Sequence, residues 1–404
     1  MSPNTFAALP SELLSQIFLL IVEERGSGFP GYLPIPERLL VLSSVCADWR
    51  RCALTLPRLW GYVLGMWLHT WSPMANLAIE RSAPLPFSFL TYQACPHPTR
   101  LVELLEPLAD PAHAARCRTF QCRVETWDEL RALERVSAGE FTILESVTIE
   151  SGWKHEHDAE GLPLSIFPNA PKLRTARLQA PLGVAALPWS QLTDINLHLE
   201  SAKQCRDILA QCTQLVEATI FAGCWPAEEA PAAGSLHLPA LEQLQLTISV
   251  PSDIPLPCDI GGWFRALQTP ELWNLDLSVH SLRPDWQPGA STTGFDALQD
   301  FVTCTPSITR FAASEALTAP QVLAVLTRLP GLTQLYVGGE VDDANSLFDA
   351  LVVSSAAPPL VPRLESLHIS IPPDYFDEAR FLACILSRWW PGDEDEDGDS
   401  EEAS

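Results

Sequence analysis

The sequence predicts an α+β protein: an N-terminal three-helix module followed by an irregular α/β solenoid of parallel strands and helices. Two patterns predict this arrangement. One is a strongly apolar helical run close to residue 10, and the other is a motif, Leu-x-x-apolar-x-apolar, that returns along the second part of the chain. With 47% hydrophobic and 19% charged residues, most of the 404-residue chain can bury a core.

The first helix is predicted from the run between Leu9 and Leu20. Pro10 suits the first turn of a helix, where no amide donor is needed. At about 100° per residue, the apolar side chains cover roughly half of the circumference, whereas a surface helix needs a stripe of only about 100°. A helix this apolar in so short a segment is expected to bury one side in its own domain and another against a partner.

Two later segments complete the module, Val45-Cys46-Ala47-Asp48-Trp49-Arg50 and Pro57-Arg58-Leu59-Trp60. Together with Leu-Pro-x-Glu-Leu-Leu-x-x-Ile-Phe, they resemble an F-box over residues 9–60, in a spelling close to that of F-box proteins from mushroom-forming fungi. The resemblance implies three helices that dock on a Skp-type adaptor and, through it, on a cullin-based ubiquitin ligase. It departs at residues 26–36, where Gly and Pro make an unusually long loop between the first two helices.

The resemblance implies adaptor-binding roles among ten residues of this module. Which of them face the adaptor and which form the internal core is left open, and Trp49 suits either role. The ten residues are Leu9, Pro10, Leu13, Leu14, Ile17, Val45, Cys46, Trp49, Leu59 and Trp60.

The repeated motif predicts a series of strands separated by helices. Its copies begin 19 to 36 residues apart, near the 20 to 29 residues of a leucine-rich repeat. The region at about residues 101–390 therefore resembles degenerate leucine-rich repeats; an ordinary α/β domain with strands of similar sequence is the alternative. The copies begin at Leu144, Leu173, Leu192, Leu215, Leu241, Leu272, a worn Ile308, Leu332 and Leu364, with helices predicted over 202–211, 295–303, 319–328, 346–353 and 376–390.

The centre of each predicted strand offers one outward side chain, because neighbouring side chains alternate between the two faces of a sheet. These side chains carry amides, hydroxyls and charges, which suits recognition of a protein segment; the alternative is that they only solvate an exposed sheet. The expected target-binding residues are Arg177, Asn196, Gln245, Asp276, Tyr336 and His368, in a row that also contains Thr148 and Thr219.

Composition excludes several classes of function. Fifty acids against 25 bases give a net charge of −25, which disfavours binding to nucleic acid and to anionic membranes. No run approaches the roughly 20 apolar residues that span a bilayer, and the eleven cysteines include no Cys-x-x-Cys pair. We therefore expect an intracellular protein with reduced thiols, in the cytoplasm or nucleus.

No motif predicts an enzyme, a cofactor or a metal site. The acids of the tail resemble the start of a calcium-binding loop, but position 12 is Ser404 instead of a glutamate. His155 and His157 lack a second ligand pair at a zinc spacing. Neither a Gly-x-Ser-x-Gly motif nor a phosphate-binding glycine loop is present.

The sequence thus predicts four parts: an F-box domain (1–62), a helical linker and first strand (63–100), a repeat domain that binds a target (101–390) and a disordered acidic tail (391–404). The first functional hypothesis is a substrate-recognition subunit of a Skp–cullin–F-box ubiquitin ligase. The partners would be a Skp-type adaptor, a cullin through that adaptor, and a protein target of unknown identity. The alternative is a scaffold that binds other proteins and has no part in ubiquitination.

Overall fold

A computed structural model describes residues 10–23, 35–64, 72–91, 99–151, 164–179, 185–199, 202–223, 234–250, 258–281, 292–314, 317–339, 344–354, 358–371 and 376–389. Contacts between residues divide the chain into two compact units, Met1–Leu192 and Thr193–Ser404. Among the described residues, no helix is both long enough and apolar enough to cross a bilayer.

Unit 1 begins with three helices, α1 (Ser11–Glu23), α2 (Ile35–Val45) and α3 (Ala47–Thr55), followed by a 3-10 turn at Pro57–Trp60. The helices pack on one another around Phe18, which is fully buried. The indole nitrogen of Trp60 donates a hydrogen bond of 2.9 Å to the carbonyl of Ala53, which holds the turn against α3. The predicted three-helix module is therefore confirmed. The long loop predicted between the first two helices lies largely outside the described residues.

A parallel sheet follows in unit 1. Its strands are β1 (Tyr62–Leu64), β2 (Phe87–Leu90), β3 (Cys117–Val124), β4 (Ser146–Ser151), β5 (Leu164–Ser165), β6 (Thr175–Gln179) and β7 (Ala185–Ala186). β1, β2, β3, β4 and β6 neighbour one another in that order, and β5 pairs separately with β7. The helices of this region are α4 (Ser72–Arg81), α5 (Thr99–Leu105), α6 (Pro111–Ala114) and α7 (Trp127–Ser137), with a 3-10 turn at Glu106–Ala109 and another at Trp189–Gln191.

Unit 2 contains the strands β8 (Asp194–Leu199), β9 (Glu217–Gly223), β10 (Leu236–His237), β11 (Gln243–Val250), β12 (Cys258–Asp259), β13 (Leu267–Gln268), β14 (Asn274–Ser281), β15 (Thr292–Thr293), β16 (Arg310–Ser314), β17 (Gln334–Gly338) and β18 (Ser366–Ser370). β8, β9, β11, β14, β16, β17 and β18 form a parallel sheet in that order. The pairs β10–β13 and β12–β15 are separate two-stranded sheets.

The helices of unit 2 are α8 (Ala202–Leu209), α9 (Gly261–Ala266), α10 (Phe295–Cys304), α11 (Ala319–Leu326), α12 (Ala344–Leu351) and α13 (Glu378–Trp389). Five of them fall on the five helices that the sequence predicts. The exception is α9, whose six residues are too few to show a helical period. Helices alternating with parallel strands make this a solenoid-like region, as predicted.

Each copy of the repeated motif begins with the same tight turn. The amide of its first residue donates to the carbonyl three residues earlier, as from Leu215 to Cys212 (3.4 Å) and from Leu332 to Leu329 (3.1 Å). The first residue is itself buried, as Leu241 and Leu272 show. Because the turn folds a leucine, or Ile308 in the worn copy, into the core before each of the predicted strands, these strands begin at equivalent places.

A second repeated contact sets the register between strands in unit 2. The carbonyl just before each strand accepts two amides from the next copy; that of Val216, for example, accepts from Glu242 at 2.9 Å and from Gln243 at 3.1 Å. The carbonyls that do so are those of Thr193, Val216, Glu242, Trp273, Thr309 and Thr333. Equivalent residues of successive copies are therefore aligned across the sheet.

Side chains of the unit 2 sheet alternate in burial. In β8, Ile195 and Leu197 are fully buried, whereas Asn196 between them is half-buried. The face that carries Asn196 and its equivalents is called the open face here. Its central row consists of Asn196, Thr219, Gln245, Asp276, Ala312, Tyr336 and His368, one residue from each strand in register.

Candidate functional site

Burial separates the ten residues expected to form the adaptor-binding module. Leu14, Leu59 and Trp60 are buried inside it. Leu13 and Ile17 are 47% and 37% exposed, and Pro10 and Val45 are exposed as well. Cys46 and Trp49 are half-buried, and Leu9 lies outside the described residues. The structure therefore shows which of the described residues are packed inside the module and which are exposed, a question that the sequence left open.

Trp49 belongs to the internal packing of the module. Its ring meets that of Phe18 edge to face, with centroids 5.1 Å apart. Cys46 lies at the position before α3, where its carbonyl accepts the amide of Arg50 at 3.0 Å and its side chain makes no capping hydrogen bond. Both residues therefore help to fix the position of α3 within the module.

Six large apolar side chains of α1 and α2 remain exposed. On α1 they fall at spacings of four and three residues, which places them on one face of the helix. Exposed apolar side chains grouped in this way mark sites of protein interaction. The set, called the exposed apolar patch below, consists of Leu13, Ile17, Leu20, Leu40, Val41 and Val45.

Three members of this patch were not among the expected site residues. Leu20 is 69% exposed, and Leu40 and Val41 are both more than half exposed. The signal for the α2 residues was the run Leu39-Leu40-Val41-Leu42, which is apolar on both sides of a helix. Leu39 and Leu42 are buried, so the other two face outward.

The module continues directly into the unit 1 sheet. β1 begins two residues after Trp60 and pairs with β2, with Tyr62 opposite Ser88. The amide of Ser88 also donates to the carbonyl of Gly61 at 2.7 Å. The guanidinium of Arg81 lies 4.8 Å from the centre of the Trp60 ring, within cation–π range. The sequence did not predict β1, because three residues show no strand period.

In unit 1, the outward position of β6 is Arg177, which is exposed. It pairs in register with Thr148 of β4, which in turn pairs with Gln121 of β3. These residues form a polar row like the one predicted.

In unit 2, the five remaining expected target-binding residues all lie in the central row of the open face: Asn196, Gln245, Asp276, Tyr336 and His368. Thr219 falls between the first two. Ala312 is the member that was not expected from the sequence, because it belongs to the worn copy that begins at Ile308. The structure therefore brings together residues spread over more than 170 positions of the chain.

Two ring pairs stand on the open face. Tyr336 and His368 stack with their centroids 4.9 Å apart and their planes 13° from parallel. His198 and Phe221 stack at 3.8 Å and 29°. Burial lowers the pKa of His198, because desolvation disfavours the charged imidazolium.

Asp276 is the acid at the middle of the central row. Its pKa is raised because partial burial disfavours the carboxylate, and the positive charge of Arg310 opposes this rise without cancelling it. Arg310 lies on the neighbouring strand, in register with Asn274. Among the described residues, no hydrogen bond or ion pair to the Asp276 carboxylate is found.

Among the described residues, no group of three potential metal ligands is found. Burial raises the pKa of the Cys117 and Cys212 thiols to about 12, which keeps both protonated and unreactive at neutral pH. The acidic tail and the pair His155 and His157 lie outside the described residues.

Comparison with known proteins agrees with the N-terminal part of this description. Residues 6–64 match the family model described as F-box-like, a range that includes α1, α2, α3, the turn at Trp60 and β1. No curated protein matches the chain. Residues 6–64 are thus an F-box-like domain.

Proposed function

We propose that this chain is the substrate-recognition subunit of a Skp–cullin–F-box ubiquitin ligase. F-box domains typically bind Skp-type adaptors, and the F-box-like domain would recruit the cullin through such an adaptor. The repeat region would bind a protein target. The observation that carries the proposal is the exposed apolar patch, because it lies within the domain that the family model matches.

The hydrophobic effect supports docking through this patch. Burying one large aliphatic side chain completely stabilises a complex by about 1.5–3 kcal/mol. Six such side chains lie on two adjacent helices, and the interior of the module is already filled by Leu14, Phe18, Leu59 and Trp60. The patch is therefore surplus to the folding of the module and available to a partner.

The open face of unit 2 supports the target-binding part of the proposal. Its central row is mainly polar, and its register is fixed by the repeated backbone hydrogen bonds. A preorganised row of polar side chains loses little conformational entropy on binding. We propose the same role for Arg177 in the polar row of unit 1.

In this proposal the chain supplies binding surfaces and other subunits carry out ubiquitin transfer. Holding a target close to a catalytic partner raises its effective concentration without any chemistry in the recognition subunit. The complex would form inside the cell, in the cytoplasm or nucleus, where a ubiquitin ligase of this type works.

Adaptor capture by charge variants tests the proposal. Leu13→Asp combined with Ile17→Asp places two carboxylates in the exposed apolar patch, so we expect co-precipitation with a Skp-type adaptor to be lost while circular dichroism stays unchanged. Ser11→Asp is the matched control, because it adds an acid on the opposite side of α1 from Leu13. Undiminished capture by the double variant would overturn the docking mode.

Recovery of a cullin with the wild-type chain, and a rise in target level on deletion, would separate a ligase subunit from a scaffold. Capture of the adaptor without cullin, and with no change in any target, would favour the scaffold.

A further inference from the structure

The parallel sheet of unit 2 ends in an edge at β18. Among the described residues, β18 pairs with β17 and with no other strand. Its inward side chains, Leu367 and Ile369, are only half-buried. Their equivalents in register on β17, Leu335 and Val337, are 2% and 0% exposed. The apolar core of the solenoid-like region therefore reaches the surface at this edge.

Helix α13 ends the layer of helices that accompanies this sheet. On the side facing α12, the guanidinium of Arg380 forms an ion pair with Asp349. Leu382 follows Arg380 by two residues, or about 200° round the helix, so it faces away from α12. Leu386 lies one turn further along the same side. These two leucines are 54% and 45% exposed, so the outer side of the last helix is apolar.

The hydrogen bonds of Arg388 fix α13 in place. Its Nε donates to the carbonyl of Leu351 at 2.6 Å, and its two terminal nitrogens donate to the carbonyls of Leu360 and Val361. These bonds tie the last turn of α13 to the end of α12 and to the segment before β18. The exposed leucines of α13 therefore lie on a preformed surface.

The free edge of β18 presents the backbone groups of Leu367 and Ile369. The amide of Ser366 and the carbonyl of Ser370 are bonded to residues that flank β17, at 3.0 and 3.1 Å. Successive residues of a strand direct their backbone groups to opposite sides. Those of Leu367 and Ile369 therefore point away from β17, as an unpaired row that can template another strand.

The sequence of β18 is symmetrical about His368. It reads Ser-Leu-His-Ile-Ser over residues 366–370. Antiparallel pairing with a second copy, about a two-fold axis at His368, places each serine opposite a serine. It also places Leu367 opposite Ile369, and these two residues then exchange both backbone hydrogen bonds. One strand is thus complementary to itself in side chains and in backbone groups.

We propose that two copies of this chain pair through β18 and α13, with a two-fold axis at His368. The axis is perpendicular to the sheet, so the two sheets continue as one and their apolar sides remain together. The two α13 helices meet antiparallel and cover Leu382 and Leu386 of both copies. The central rows of the two open faces join at His368.

Charge favours a second copy over the acidic segment at the end of the same chain. Residues 366–370 include no acid, lysine or arginine, although charged side chains commonly protect the edges of sheets. Two copies can therefore meet here without like charges in contact. Residues 391–404 carry eight acids and no base. Placing them on this apolar edge would bury carboxylates without a partner, which is costly.

The size of the surface predicts a weak, reversible dimer. The twelve residues of α13 are about 18 Å long, and one sheet with one layer of helices is about 20 Å deep. The interface then buries on the order of 700–1,000 Å² in total, which is below the roughly 1,200 Å² of stable complexes. We therefore expect a Kd of about 10–100 µM.

Sedimentation velocity of the full chain tests the inference, which goes beyond the proposed function and does not depend on it. Between about 1 and about 200 µM, the wild-type chain should change from monomer to dimer. Raising the salt concentration from about 0.1 M to about 0.5 M should lower the Kd, because it screens the repulsion between two chains that each carry −25.

Lysine variants locate the interface. Leu382→Lys combined with Leu386→Lys brings four cations together at the axis, so we expect the Kd to rise at least about tenfold. Thr303→Lys combined with Thr327→Lys is the matched control. It adds the same charge at exposed positions at α10 and after α11, and it should not raise the Kd. Circular dichroism checks that each variant folds.

Cysteine cross-linking tests the position of the axis. In His368→Cys, the two introduced thiols would face each other with Cα atoms about 4.5–5.5 Å apart, which suits a disulfide. A mild oxidant should therefore link two chains. Ser366→Cys places its thiol opposite residue 370 of the other copy and should give no more linked dimer than the parent chain. The parent chain measures the background from the native cysteines.

Three results would overturn the inference. The first is a wild-type chain that stays monomeric up to about 200 µM, whether or not it binds extended peptides at β18. The second is an unchanged Kd in the Leu382→Lys and Leu386→Lys variant. The third is cross-linking of Ser366→Cys as efficient as that of His368→Cys, because it would exclude a two-fold axis at His368.

Discussion

Phe18 and Trp49 meet edge to face, with ring centroids 5.1 Å apart, and this contact joins the first and third helices of the F-box-like domain. Phe18 is fully buried, so one side of the apolar arc of α1 faces the interior of the domain and packs on Trp49. The outward part carries Leu13, Ile17 and Leu20. One part of the helix is therefore packed inside the domain, and we propose that the other part binds the adaptor.

Truncating each part should separate these roles. Phe18→Ala removes a buried ring and is expected to destabilise the domain by about 3–5 kcal/mol. Leu20→Ala changes a side chain that is largely in solvent, so we expect a change in unfolding free energy below about 0.5 kcal/mol. Urea unfolding monitored by tryptophan fluorescence measures both. Equal destabilisation by the two variants would contradict the assignment.

The α7 capping box makes stability depend on pH. Glu129 accepts hydrogen bonds from the amides of Glu125 (2.7 Å) and Thr126 (3.1 Å), yet burial still raises the pKa of its carboxyl group. The folded state therefore keeps the proton at pH values where the unfolded state, with its pKa near 4.3, has released it. The contribution of Glu129 to stability thus falls as pH rises from about 4.3 through the raised pKa.

Glu129→Gln should remove this part of the pH dependence, because the amide accepts the same backbone hydrogen bonds without a titrating proton. Glu129→Ala should be about 1–2 kcal/mol less stable than Glu129→Gln at every pH, since the hydrogen bonds that the amides of Glu125 and Thr126 donate to residue 129 are lost. Chemical unfolding at a series of pH values compares the variants with the wild type. A Gln variant with the same pH slope as the wild type would show that another group is responsible.

Gly294 is required by a close approach between two backbones. Its φ is +81°, and a Cβ atom there would collide with Asp259 and with the backbone of Gly261. We expect Gly294→Ala to lower the unfolding free energy by about 2 kcal/mol or more. Gly331→Ala is the control, because a Cβ atom at Gly331 meets nothing within 4 Å. Differential scanning calorimetry should show a lower Tm for the first variant only.

The strands that follow copies of the repeated motif were predictable because two local signals coincide. A leucine, or Ile308 in the worn copy, closes a turn before each of these strands, and apolar residues then alternate with polar ones. β1 and α9 were not predictable, since three and six residues carry too little periodicity. Pairing of β1 with β2 depends on contacts that no local pattern encodes.

The residues of the two candidate sites were only partly predictable from the sequence. A helix with an apolar arc of half its circumference does not reveal which half faces inward, so Leu13 and Leu14 could be told apart only by their packing. The outward positions of the strands followed from alternation. The place of Ala312 in the row did not, because Asp276 on β14 and Tyr336 on β17 become its neighbours only through the pairing of both strands with β16.

Calorimetric titration of a purified Skp-type adaptor into the purified chain tests the central claim most directly. If the exposed apolar patch is the docking surface, binding will show a negative heat-capacity change. In the variant with Val41→Asp and Val45→Asp, the Kd will rise by at least about a hundredfold. Asp276→Asn will leave the Kd unchanged. An unaltered Kd in the double variant would contradict the account.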